Sequence, residues 1–168
     1  MTQNLHLYLF RGENPVIKVR CLAFSLEREI YTPFEAVTAE FLSDGSDYSD
    51  IDRIALYLDN TCIFLGLADS VQQFHKLHAS FVRISSRSFP SLLTQNELEP
   101  GLHSNLTISS LMTGFYQFPY LTYENLPDSG YIFVKSGNTM WDGVVSFGYK
   151  ITGHYPYAVQ NHICLSPP

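Results

Sequence analysis

The sequence predicts a mainly β chain with a smaller α+β part: an N-terminal β-barrel over residues 1–95, followed by a small α+β domain over residues 96–168. Short apolar runs separated by turn residues recur from Leu5 to about Ser88, which is the pattern of strands at close spacing. Aromatic residues make up 14% of the chain against 15% charged, and nearly all of the rings are Phe and Tyr, a composition that favours sheets and adhesive surfaces. After Arg87 the texture changes to helix caps and short mixed elements.

In chain order, Leu5 to Phe10 and Val16 to Ser25 are strands separated by the turn Gly12-Glu13-Asn14-Pro15. Ala36 to Leu42 is a third, followed by the polar loop Ser43 to Asp50. Ile54 to Leu58 and Thr61 to Gly66 flank Asp59-Asn60, two residues that tolerate a left-handed backbone and so predict a hairpin. The second arm continues to Phe74, and Ala79 to Ser85 can pair back onto it, giving a meander that a small barrel, or alternatively a sandwich, would fold up to hide its edges. Ser88-Phe89-Pro90-Ser91-Leu92-Leu93 reads as a helix with a Ser cap ahead of a Pro-containing first turn, and Asn105 to Met112 as a second short helix, with a boundary near residues 95–103. Tyr131 to Val134 is a strand. Ser136-Gly137-Asn138-Thr139 then supplies a turn and a cap for a helix from Met140 to Ile151, ended by Gly153 and Pro156. Tyr157 to Gln160 and Ile163 to Leu165 are closing strands.

Composition excludes several classes of function. A net charge of −6 with ten thinly spread Lys and Arg leaves no basic stripe for a phosphate backbone, so no nucleic-acid partner is expected. No apolar run approaches the ~20 residues of a membrane span, and Met1-Thr2-Gln3-Asn4 lacks the basic start of a signal peptide. Cys21, Cys62 and Cys164 lie far apart inside apolar runs and read as small buried hydrophobes.

The chain carries no recognisable catalytic or cofactor motif. His75 and His78 have helical ligand spacing but fall in a strand connection, where they point to opposite faces without a third ligand, so no metal is expected. Ser85-Ser86-Arg87-Ser88 has no neighbouring His base, and Asp44, Asp47, Asp50 and Asp52 lack the ligand spacing of a calcium loop. Glu97, Glu99, Glu124 and Asp128 lie in expected loops, and nothing in the sequence pairs any two of them. The expectation is a protein that works by building an assembly rather than by catalysis.

Two stretches carry resemblances. Tyr131-Ile132-Phe133-Val134-Lys135-Ser136-Gly137-Asn138-Thr139-Met140-Trp141 resembles the opening of a LysM module, Y-x-V-x-x-G-D-T-L-W, over about residues 131–165. That resemblance implies cell-wall glycan binding, with Asn138, Thr139 and Trp141 as the residues to contact sugar; the alternative for Trp141 is to anchor its helix against the core.

A broader resemblance covers nearly the whole chain. Val82 to Leu93 is similar to the phrase v-x-x-S-G-R-S-x-x-x-L-L, with Ser86 where Gly is commoner. It is followed by an Asn-Leu-Thr-Ile element at Asn105 to Ile108 and by F-x-V-x-x-G-x-T-x-W at Phe133 to Trp141. This order resembles the N-terminal half of baseplate hub proteins of contractile-tailed phages and prophages, the late control gene D type. The resemblance implies a homotrimeric ring of β-barrels between tail tube and spike, with tube, spike and baseplate proteins as partners and no enzymatic site. It also implies assembly in the bacterial cytoplasm, incorporation into the virion tail, and a further β domain beginning about where Ser166-Pro167-Pro168 stands. Tyr116, Phe118, Tyr120 and Tyr123 are candidate interface anchors, the alternative being that they fill the junction between the two halves.

Overall fold

The computed structural model describes residues 4–30 and 32–167. Its packing divides the chain into two compact units, residues 1–28 with 35–88, and residues 29–34 with 89–168.

In the first unit, β1 (Leu5–Arg11), β2 (Asn14–Arg20), β3 (Ala23–Arg28), β4 (Glu35–Leu42), β5 (Arg53–Leu58), β6 (Thr61–Lys76) and β7 (Ala79–Ser88) form a seven-stranded sheet. Every ladder is antiparallel, in the order β2-β1-β5-β6-β7-β4-β3. The register sets apolar residues opposite one another: Leu7 faces Leu56, Leu56 faces Phe64, Ala39 faces Ile84 and Phe41 faces Val82. Because side chains alternate across a strand, this register sends one face of each strand into a common core.

The expected closed β-barrel is not formed. β2 and β3 are the two edges of the sheet and do not pair with each other. Only Cys21 and Leu22 separate these strands, which are two arms of one bent stretch of chain, one laid along β1 and the other along β4. At the bend the ladder changes partner, with Cys21 N–H donating to the Leu5 carbonyl of β1 (3.0 Å) and Leu22 N–H to the Glu40 carbonyl of β4 (2.8 Å).

The turns follow backbone chemistry. Asp59 adopts φ 52°, as expected for the β5–β6 hairpin, and Leu77 and His78 adopt φ 50° and 65° between β6 and β7. The acidic loop after β4 is tied down by its own carboxylates. Asp44 accepts from the Tyr48 hydroxyl (2.7 Å) and the Ser46 N–H (2.9 Å), Asp52 accepts from the Gly12 N–H (2.7 Å), and Asp50 pairs with Arg11. Tyr48 is 1% exposed with its ring edge-on to Phe41, so the loop also contributes to the core.

The second unit contains α1 (Ser91–Gln95), β8 (Gly101–Leu106), α2 (Ile108–Gly114), β9 (Thr122–Tyr123), β10 (Gly130–Val134), α3 (Met140–Thr152), β11 (Tyr157–Val159) and β12 (His162–Cys164). β8 pairs antiparallel with β10, and β11-β12-β9 form a small mixed sheet in which β12 and β9 run parallel. Met140, Val144 and Phe147 recur at helical spacing along α3 and enter a core shared with Leu93, Leu111, Ile132 and Ile163. At Gly143 the helix comes close to the end of the Leu98 side chain, which would have to shift to admit a Cβ.

Three details differ from expectation. Ser88 does not cap α1: its buried hydroxyl accepts from the Glu35 N–H (2.9 Å), and Pro90 occupies the cap position without a side-chain bond. The helix expected from Asn105 begins at Ile108, because Thr107 forms a capping box with Ser110 while Asn105, at φ 55°, and Leu106 belong to β8. Residues 89–95, placed with the barrel by the sequence reading, fall in the second unit, where Leu93 joins the second core.

Candidate assembly surface

The LysM-like stretch commits its polar atoms to holding α3. Asn138 Oδ1 accepts from the Lys135 N–H (2.8 Å), which closes the turn after β10. Thr139 is the N-cap: its hydroxyl accepts from the Asp142 N–H (3.3 Å), and Asp142 accepts from the Thr139 N–H (2.7 Å). Beside this cap a concavity of about 230 Å³ is lined by Phe133, Lys135, Asn138, Asp142 and Ser146 among others. Trp141 is not part of that lining; it is half-buried against the second core. Of Asn138, Thr139 and Trp141, Asn138 alone is in the lining of this concavity.

The four candidate anchors separate likewise. Met112, Tyr116, Phe118, Leu121 and Tyr123 line an open apolar cleft of about 290 Å³ at the end of α2. Phe118 and Tyr123 are half-buried against the second core, and the Tyr123 hydroxyl donates to Ser109 Oγ (3.2 Å). Tyr116 is more exposed and is fixed by its hydroxyl, which donates to the Glu97 carbonyl (2.7 Å). Tyr120, at φ 58°, is outside the cleft lining; its ring lies 4.8 Å from that of Phe89.

A further group of exposed apolar side chains in the second unit lies on β8 and β10. On β10, Ile132 and Val134 face the core while Tyr131 and Phe133 face outward, 54% and 66% exposed. Phe133 is in register with Leu102 of β8, itself 65% exposed. Lys150 lies over the Tyr131 ring and donates to the Tyr131 carbonyl (3.2 Å), and the next α3 residue, Tyr149, packs its ring 4.8 Å from that of Tyr155. β10 thus carries apolar side chains on both faces, with Lys150 covering part of the outer one at Tyr131. The signal was in the sequence: Tyr131-Ile132-Phe133-Val134 does not alternate, and a strand facing water on one side should.

Electrostatic shifts mark tethers. Hydrogen bonds from the Ser166 hydroxyl and the Ser166 and Leu165 N–H groups hold the Glu124 carboxyl below its usual range. Asp69 accepts from Arg87 Nε–H and Nη2–H through its two carboxylate oxygens (2.7 and 2.8 Å), raising the pKa of Arg87. Burial raises the pKa of the Cys21 thiol. Among the described residues, no three His, Cys, Asp or Glu side chains cluster to hold a metal, and no helix is long and apolar enough to cross a membrane.

This mainly β architecture is found in solved tail proteins. The chain matches the tail protein of Neisseria meningitidis MC58 over 100% of its own length and 53% of that protein, with TM-score 0.72 and 15% identity. It matches the 43 kDa tail protein of prophage MuSo2 from Shewanella oneidensis over 97% and 53%, with TM-score 0.69 and 10% identity. A chain of the Francisella PdpA–VgrG complex is matched over 100% and 32%, with TM-score 0.59 and 10% identity. The chain thus spans about half the length of the tail proteins it matches. No protein-family model matches the sequence, and none of the curated proteins does.

Proposed function

We propose that this chain is a structural subunit of a phage-type tail, a hub-like component that associates with copies of itself into a trimeric ring and with tube, spike and baseplate proteins around it, without a catalytic step. The observation that carries the reading is the match of both units together, over the whole chain, to tail proteins at TM-scores of 0.72 and 0.69. The outward apolar face of Leu102, Tyr131 and Phe133 supplies what such an assembly needs, neighbouring exposed apolar side chains for a hydrophobic contact centre. The bare edges of β2 and β3, with Leu22 and Phe24 half-exposed beside them, offer further backbone groups for pairing.

Molar mass by light scattering over a wide concentration range tests the reading. A trimer that grows in with concentration is the expected result. A strict monomer at every concentration removes self-assembly from the account.

A further inference from the structure

The two edges of the seven-stranded sheet are open and of similar length. Among the described residues, β2 pairs only with β1 and β3 only with β4, the two edge strands being seven and six residues long. An edge strand presents unpaired N–H and C=O groups to any strand that arrives, and charged side chains on it ordinarily deter that arrival. Whether two edges repel or attract then turns on whether their charges have the same sign.

Here the signs differ. On β2, Lys18 and Arg20 are exposed opposite Tyr8 and His6, and among the described residues neither has a carboxylate partner. On β3, Glu27 is exposed opposite Ala36 and has no cationic partner among the described residues, while the neighbouring Arg28 is held by Glu35 (2.7 Å). Two β2 edges therefore repel one another, whereas β2 and β3 of different copies attract.

The core side of the same strands is complementary as well. Ile17 and Val19 of β2 lie opposite the buried Leu9 and Leu7 and pack against the first core. Leu26 of β3, opposite the buried Val37, does the same. Phe24, opposite the buried Ala39, is on the core side by register and yet is 45% exposed, because no strand follows β3 to cover it. A β2 strand laid antiparallel along β3 with Lys18 facing Glu27 puts Val19 opposite Leu26, diagonal to Phe24, and Arg20 opposite Ser25. That register continues the apolar side of the sheet and joins opposite charges on the other.

We infer that β2 of one copy pairs with β3 of the next, a head-to-tail contact that extends the sheet from copy to copy. This rests on the self-assembly proposed above and names the strands that meet.

Sedimentation equilibrium of the full chain, with thermal melting to check folding, tests the inference. Lys18→Glu and Glu27→Lys, both at exposed positions, should each weaken association by about fivefold or more, because either one sets like charges opposite each other. The double variant Lys18→Glu, Glu27→Lys should regain most of the wild-type association, since the pair is restored with its signs exchanged. If the wild type assembles and a single variant assembles as tightly, or the double variant regains nothing, the strand pairing is overturned and the self-assembly reading stands. If the wild type never assembles, both fall.

Discussion

In the first unit, seven strands reach a single core through long antiparallel ladders, and almost every buried side chain is set by its place in the register. In the second, three short helices and several strands of two to six residues share a core of similar make-up, and side-chain hydrogen bonds to backbone fix where each element starts. Thr107 and Thr139 cap helices, Asn138 closes a turn, and the Asn161 side chain accepts from the Phe89 N–H (2.9 Å). The comparison teaches that the sheet unit is damaged chiefly by loss of volume or of strand approach, and the mixed unit also by loss of single polar atoms.

The largest effect expected is from emptying the sheet core. Phe64→Ala, at a ring 1% exposed between β5 and β7, should cost about 3–5 kcal/mol in chemical denaturation. Phe147→Ala should cost a comparable ~3–5 kcal/mol in the second core, and a much smaller loss there would mean that the mixed unit leans less on packing than its buried residues indicate. Next comes strand approach. A Cβ at Gly66 would collide with the Arg87 carbonyl oxygen and the Phe64 ring, so Gly66→Ala should destabilise by about 1–3 kcal/mol, whereas Gly114→Ala, with open space around it, should not.

Polar tethers give smaller losses. Thr139→Ala removes the hydroxyl half of the α3 capping box and should cost about 1 kcal/mol, read by denaturation; Thr139→Ser should restore most of it. Binding to purified sacculi should be unchanged in the same variant if the cap is purely structural. The smallest effect is a pH response in the first unit's acidic loop. Hydrogen bonds from Tyr48 and Ser46 lower the Asp44 carboxyl from 3.8 to about 2. A depressed carboxyl stabilises the fold above its ordinary value and loses that contribution as pH falls through the lowered one. The Ser46 amide resonance of the folded protein should therefore move with a midpoint at about 2, well below the ordinary carboxylate value, and Asp44→Asn should abolish the movement.

Legibility from sequence followed the same division. Strands of period two with turn residues between them were readable in the first unit, as was α3, whose cap, apolar stripe and terminal Gly153 are all local signals. Closure was not readable, because whether β2 meets β3 depends on how a two-residue bend at Cys21-Leu22 distributes hydrogen bonds between β1 and β4. β8 was invisible for a related reason: Leu102 points out and Leu106 in with His103, Ser104 and Asn105 between them, so the segment has no apolar period and is held by pairing with β10. The aromatic cluster from Tyr116 to Tyr123 is plain in the sequence, but its hydroxyl partners Glu97 and Ser109 come from distant positions, and no local pattern forecasts them. The pairing of the exposed Phe133 with Leu102 has no sequence signal because half of it sits on that unreadable strand.

Sedimentation velocity of the wild type beside a Leu102→Ser, Phe133→Ser double variant tests the central claim most directly. Both substitutions lie on the outer face of β8 and β10, so folding should be preserved, which circular dichroism would check. The wild type should sediment as a trimer and the variant as a monomer at the same concentration. A variant that remains trimeric, or a wild type that stays monomeric throughout, would contradict assembly through this face.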